Sequence, residues 1–289
     1  MLATQDVHSV AELAAGDGTP LALHSWTAAD PADVRGVLFY VHGIQSHAGW
    51  LFETGPELAR RGVATYALDR RGSGLSGGGR GDLPTAEVVV QDYLRGLAAA
   101  RELAQGLPLT VLGQSFGASV VAALAAGTDP GADAIVYCTP ALGQQRARHK
   151  PDDLVRLRQS LGGQRSPIAL EDEDYTSESR YLEFMANDRL MLRQVTERTR
   201  AAMVGLEDLY TGRRAPGGAQ VHFVRTELDP IIDLTVAEKV LIDLHETFTA
   251  TTFPIRQHYV EFSSVRRDYW DWLAEVVLRT DRARRVRTP

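Results

Sequence analysis

LTVLGQSFGASVVAALAAG, residues 109–127, changes character at its centre. Leu109, Thr110, Val111 and Leu112 are bulky and mostly branched, the composition of a buried strand, whereas Phe116 to Ala126 is apolar on nearly every face of a helix. Few residues remain for the turn between them. A strand that becomes a helix so abruptly crowds the positions two residues either side of its apex, and these favour residues without a Cβ. Gly113 and Gly117 stand there, flanking Ser115. The apex is then strained, its hydroxyl projects at the carboxyl end of the sheet, and the Phe116 N–H points from the helix N-terminus into the same space. Such geometry suits a nucleophile.

A serine hydroxyl is barely ionised at neutral pH, so attack requires a base and a carboxylate that orients it. In VHFVRTELDPIIDLT (221–235) a strand ends and Asp229 stands in the loop beyond, whereas Asp233 heads the next helix and reads as its cap. Asp229 is the preferred acid. Of eight histidines, His258 in FPIRQHYVEFSS (253–264) lies between the last strand-like run and the terminal helix, where a loop carries it back over the sheet. His245 ends a helix and reads as a charge partner for its last turn, and His222 reads as a packed strand residue. An acyl oxyanion needs two donors. Phe116 N–H supplies one, and FYVHGIQSHAGW (39–50) offers the other, because a His42-Gly43 turn aims the Ile44 N–H into the site. His42 then supports that loop, while Gln45, Ser46 and His47 fit either substrate contacts or a solvated helix start.

The rest of the chain narrows the class. Its 289 residues carry a net charge of −6, with basic residues almost all arginine, which argues against a nucleic-acid partner. The single cysteine, Cys138 in AIVYCTPA, excludes an internal disulfide and reads as a buried thiol. Neither a basic segment leading into an apolar stretch at the N-terminus nor an apolar run near 18 residues occurs, so the expectation is a cytoplasmic protein without a membrane span. The arginines of 279–289 read as a solvated tail. No metal-ligand spacing is present, and no cofactor is expected. Gly72-Ser73-Gly74-Leu75-Ser76-Gly77 matches a dinucleotide fingerprint, with Asp92 some twenty residues on, yet the glycines continue without opening a helix and Asp92 falls inside a helical pattern.

Strand and helix patterns alternate along the chain, which predicts a mainly parallel sheet covered on both faces. SVAELAAGDGTPLALHSW (9–26) adds an antiparallel hairpin around Asp17-Gly18. TAEVVVQDYLRGLAAARELAQG (85–106) predicts a helix with Val90, Leu94 and Leu97 on one face, closed by Gly106. Residues 142–218 break the rhythm: arginine-rich helical patterns without a convincing strand, read as a helical insertion into a core formed by 1–141 and 219–289. Leu190, Leu192, Val195, Ala202, Met203, Leu206 and Leu209 fit either a pocket lining or ordinary packing of the insertion. QQRARHKPDDLVRLRQ (144–159) reads as a solvated face offset by Glu171 to Asp174, or as a contact for an anionic substrate or the acidic surface of a carrier protein.

The "VHG" turn, the "LDRRGSGLS" loop, "GQSFG", and then a carboxylate and a histidine follow the order of the α/β-hydrolase fold, and the chain resembles its monoacylglycerol-lipase or lysophospholipase-like branch. The resemblance implies Ser115 as nucleophile, Asp229 as acid, His258 as base, Ile44 and Phe116 as oxyanion donors, and 142–218 as lid or cap. Gln114 stands where many relatives carry histidine. The expected activity is cleavage of a small-molecule carboxylic ester or thioester through an acyl-enzyme. Acyl transfer or cyclisation, carrier-protein thioester cleavage, and ligand binding without turnover are the rivals.

Overall fold

A computed structural model describes residues 7–287, and side chains as far as Arg279; the solvated-tail expectation for 280–289 lies outside the described side chains. Among the described residues ten strands and ten α-helices follow one another as β1 (Val7–Ala14), β2 (Pro20–Thr27), β3 (Gly36–Val41), α1 (Thr54–Arg60), β4 (Val63–Leu68), α2 (Ala86–Ala104), β5 (Leu109–Gln114), α3 (Phe116–Gly127) and β6 (Ala134–Cys138). Next come α4 (Gln144–Arg148), α5 (Pro151–Gln159), β7 (Arg165–Pro167), α6 (Asp172–Tyr175), α7 (Ser179–Asn187), β8 (Gln194–Thr196) and α8 (Glu197–Tyr210). The chain then closes with β9 (Gln220–Thr226), α9 (Leu234–Leu244), β10 (Thr249–Phe253) and α10 (Arg266–Arg287).

Eight strands form one sheet in the order β1-β2-β4-β3-β5-β6-β9-β10. Only the pairs involving β1 and β2 are antiparallel, so the hairpin forms one edge and the remainder is parallel. This is the α/β-hydrolase architecture.

Alternation along the buried strands divides the core into two layers. Val37, Phe39 and Val41 of β3 meet Tyr93 and Leu97 of α2 and the apolar residues of α3, while Leu38 and Tyr40 turn to Leu58 of α1 and to Tyr269, Leu273 and Val277 of α10. Helix α3 lies between the sheet and α8, which is why it is apolar all round. On α2 the fully buried stripe is Val89, Tyr93, Leu97 and Ala100, one residue round from the expected face, with Val90 and Leu94 half-buried beside it. Gln105, at φ 49°, and Gly106 both take left-handed conformations after that helix, so the stop uses two residues rather than the glycine alone.

The segment between β6 and β9 is helical apart from β7 and β8, which pair antiparallel over three residues each. Three residues are too few to display an alternating pattern, so this pair left no signal in the sequence. No helix among the described residues is long and apolar enough to cross a membrane.

Candidate functional site

Ser115 lies between β5 and α3 with φ 52° and ψ −119°, a conformation costly for a side-chain-bearing residue. Three backbone hydrogen bonds hold it there: its N–H donates to Cys138 O, and its carbonyl accepts from Ala118 and Ala141, each at 3.0 Å. A Cβ on Gly113 would lie 2.6 Å from Ala118 Cα, and one on Gly117 would penetrate the Val41 carbonyl. Both flanking glycines are therefore required by backbone approach.

Loops from three other strands converge on this apex. After β9, Asp229 accepts hydrogen bonds at Oδ1 from the N–H groups of Ile231 and Ile232, both at 2.9 Å. Its Oδ2 meets His258 Nδ1 at 2.7 Å, with both side chains fully buried. Burial alone pushes the Asp229 carboxyl up, but His258 and the two amides outweigh it and bring the carboxyl below its ordinary range. With Nδ1 donating to Asp229, Nε2 is the ring nitrogen left to act as an acceptor. That nitrogen faces Gln114 Nε2 at 3.4 Å, and no hydrogen bond joins it to Ser115 Oγ among the described residues. Asp233 instead caps α9, accepting from Thr235 and Val236 N–H.

The loop after β3 is braced from the loop after β4. His42 Nδ1 donates to Gly43 O at 2.9 Å and His42 Nε2 accepts from Arg70 N–H at 3.0 Å. Burial and the Arg70 charge lower the His42 pKa to about 3, so it is a neutral strut. The Arg70 guanidinium is itself buried, donates to Gly43 O and Ile44 O at 2.9 and 2.8 Å, and lies over the Phe116 ring at 5.0 Å. A Cβ on Gly43 would stand 2.7 Å from Gln114 Oε1. Ile44 and Phe116 line the same cavity as Ser115, and neither N–H has a hydrogen-bond acceptor among the described residues. Arg70 escaped notice in the sequence because only the fold brings the two loops together.

Several side chains lie away from this chemistry. His245 is no charge partner for a helix end: it is buried against Tyr137 OH at 2.9 Å, and burial lowers its pKa to about 4. His222 is half-buried and packs edge-on against Trp272. Gln45, Ser46 and His47 are buried rather than solvated: Gln45 accepts from Tyr175 OH, and His47 Nε2 bonds Asp188, which also accepts from Trp50. Asp92 lies within α2 and pairs with Arg71 through two hydrogen bonds. Among the described residues no group of three or more His, Cys, Asp or Glu could hold a metal ion.

The 142–218 segment touches the site at three places. His258 and Tyr259 donate backbone hydrogen bonds to Asp174 O and Tyr175 O, and the Tyr175 ring stands edge-on to His258 at 5.7 Å. A cavity of about 220 Å³ opens on Ser115 and runs under this segment. Val195 and Met203, two of the seven apolar residues singled out in sequence, line it together with Ile168 and Leu170, whereas Ala202 and Leu206 pack into the core. The basic run 144–159 is offset not by Glu171 to Asp174 but by Asp208, which pairs with Arg146 and Arg158, and by Asp153, which pairs with Arg156. Arg146, Arg156 and Arg158 thus each meet a carboxylate, with Asp208 shared by two of them, whereas Arg148 meets none among the described residues, and the carrier-protein contact, an alternative reading of this run, gains no support.

Residues 32–258 match the family described as serine aminopeptidase, S33. A monoacylglycerol lipase from Mycolicibacterium smegmatis is 28% identical over 244 residues, covering 83% of this chain and 84% of that protein. Two solved structures share the fold. A soluble variant of monoglyceride lipase from Saccharomyces cerevisiae, in complex with a substrate analog, superposes with a TM-score of 0.79 at 15% identity over 97% of both chains. A monoacylglycerol lipase from Paleococcus ferrophilus gives a TM-score of 0.72 at 18% identity, over 95% of this chain and 99% of that one.

Proposed function

Because the chain belongs to the serine aminopeptidase S33 family and is a serine hydrolase of esterase and lipase type, we propose that it cleaves a carboxylic ester or thioester through a Ser115–His258–Asp229 triad. The observation that carries this reading is the buried 2.7 Å pair of His258 and Asp229, whose other ring nitrogen faces Gln114, the residue next to the strained Ser115 apex. Catalytic hydrogen bonds are often loose before substrate arrives and tighten in the complex, so the relay is complete when the Ser115 hydroxyl donates to His258 Nε2 in place of the Gln114 amide. His258 takes the serine proton as Oγ attacks the acyl carbon, Asp229 stabilises the imidazolium, and the oxyanion rests on the Ile44 and Phe116 amides. His258 then returns the proton to the leaving alcohol or thiol. A water deprotonated by the same nitrogen releases the acid.

Acyl chains suit the apolar cavity walls, and the Mycolicibacterium relative is named for a monoacylglycerol. Residues 142–218 act as a cap over the described part of the core on either side of them in the chain, closing one side of that cavity.

The test is labelling with a fluorophosphonate, followed by peptide mapping, on wild-type protein, Ser115→Ala and His258→Ala. Label confined to Ser115 and lost from both variants is expected, with ester turnover by Ser115→Ala lowered on the order of 10⁶-fold. A folded Ser115→Ala protein that hydrolyses esters near the wild-type rate refutes the assignment.

A further inference from the structure

Half of the arginines in 142–218 meet carboxylates among the described residues: Arg146 and Arg158 with Asp208, Arg156 with Asp153, Arg180 with Glu53, Arg193 with Asp172, and Arg198 with Asp82. Of the arginines without a carboxylate partner, Arg148 and Arg200 are the two that line the Ser115 cavity. Arg148, the last residue of α4, donates from Nη2 to Ile231 O and Gln144 Oε1. Arg200 of α8 donates from Nε to Ser166 Oγ at 2.9 Å and from Nη2 to Pro167 O at 2.8 Å. Every one of these acceptors is neutral, so each guanidinium is aimed but not charge-compensated within the described residues. Glu197, one turn before Arg200, forms no ion pair with it. Both arginines line the Ser115 cavity, beside His149, and no Asp or Glu lines it with them. Arg148 is exposed and Arg200 half-buried, so they stand toward solvent while Ile44, Phe116 and Ile232 line the cavity nearer the buried site.

A cavity meant for a wholly neutral ester gains nothing from two unmatched cations, whose hydrogen-bond forks fit oxyanions. We propose that the preferred substrate carries an anionic group, a carboxylate or a phosphate, remote from the scissile ester, and that Arg148 and Arg200 bind it. This rests on the Ser115 hydrolase reading above. It adds a second recognition element to the apolar walls: the acyl or alcohol portion fills the cavity, and the oxyanion sets register by bridging α4 and α8.

Two matched pairs of esters test it and distinguish the source of the charge. One pair is the mono-p-nitrophenyl ester of glutaric acid against p-nitrophenyl pentanoate, which places a carboxylate on the acyl side. The other is 1-butanoyl-glycerol 3-phosphate against 1-butanoylglycerol, which places a phosphate on the alcohol side. In wild-type protein, kcat/KM for the anionic member of at least one pair is expected to exceed its neutral partner by about tenfold or more, the scale of a charge-assisted hydrogen bond. The anionic-to-neutral ratio should fall about tenfold in both Arg148→Gln and Arg200→Gln, chiefly through KM, and recover in part in Arg200→Lys. Neutral esters equal or superior in both pairs would overturn the proposal. So would variants that lower both members alike, the signature of a merely structural role for Arg148 at the Ile231 carbonyl. A protein whose Ser115 takes the fluorophosphonate but turns over neither anionic ester overturns this inference alone; no labelling and no ester turnover overturn the hydrolase reading with it.

Discussion

Glu261 lies three residues after His258 and is 1% exposed, with Tyr40 OH donating to its Oε1 at 2.8 Å and its Oε2 unpartnered among the described residues. Burial dominates and raises its pKa from 4.5 to about 7, against the lowering effects of Tyr40 and His258. The consequence for folding follows from proton counts. Below pH 4.5 both folded and unfolded chains hold the proton and Glu261 contributes no pH dependence. Between pH 4.5 and about 7 the folded chain holds a proton that the unfolded chain has lost, so stability falls as pH rises. Above that window both are ionised and the loss is constant, at about 3 kcal/mol for a shift of this size. Glu261→Gln keeps the shape and the acceptor for Tyr40 but cannot ionise. Urea unfolding of wild type and variant at intervals from pH 4 to 8 should therefore show the variant gaining relative stability across the window, by about 3 kcal/mol in total. Tyr40→Phe, which removes the donor favouring the carboxylate, should move the window to higher pH. A stability difference between wild type and Glu261→Gln that stays constant from pH 4 to 8 would refute the argument, since it would mean that Glu261 titrates alike in both states.

Other outcomes follow from the same geometry. Arg70→Ala should leave Ser115 in place but release the Gly43 and Ile44 carbonyls, lowering kcat about 10²-fold with a smaller change in KM, measured by ester turnover; an unchanged kcat would show that the loop holds its own shape. Cys138, fully buried with its thiol pushed well above the ordinary range by burial and by Glu261, should resist thiol reagents in the native protein and react on unfolding in urea. Rapid labelling under native conditions would contradict its place in β6.

Local rules sufficed wherever a single turn or cap decides the outcome. The glycines around Ser115, the Asp17-Gly18 hairpin and the Asp233 cap each answer to backbone geometry within a few residues, and geometry of that range is written in neighbouring side chains. The face of α2 slipped by one residue because Val89 and Val90 are equally apolar, and only the sheet beneath decides which is covered. Arg70 is adjacent to Arg71 and chemically identical to it, yet one braces the Ile44 loop and the other binds Asp92.

Within residues 142–218 neighbouring side chains decide even less, because the meaning of an arginine there is set by whether a carboxylate reaches it. Arg146 and Arg148 are two residues apart on one short helix. Asp208, sixty residues on, meets the first, while the second meets two neutral oxygens at the mouth of the cavity. Composition averages the two into one basic stretch, which is why a carrier surface seemed as reasonable as a substrate anion. Once partners are assigned, charge is left unmatched where α4 and α8 face the Ser115 cavity. On this reading specificity is a property of what the fold leaves uncompensated, whereas the proposed nucleophile, Ser115, is a property of what the backbone leaves room for.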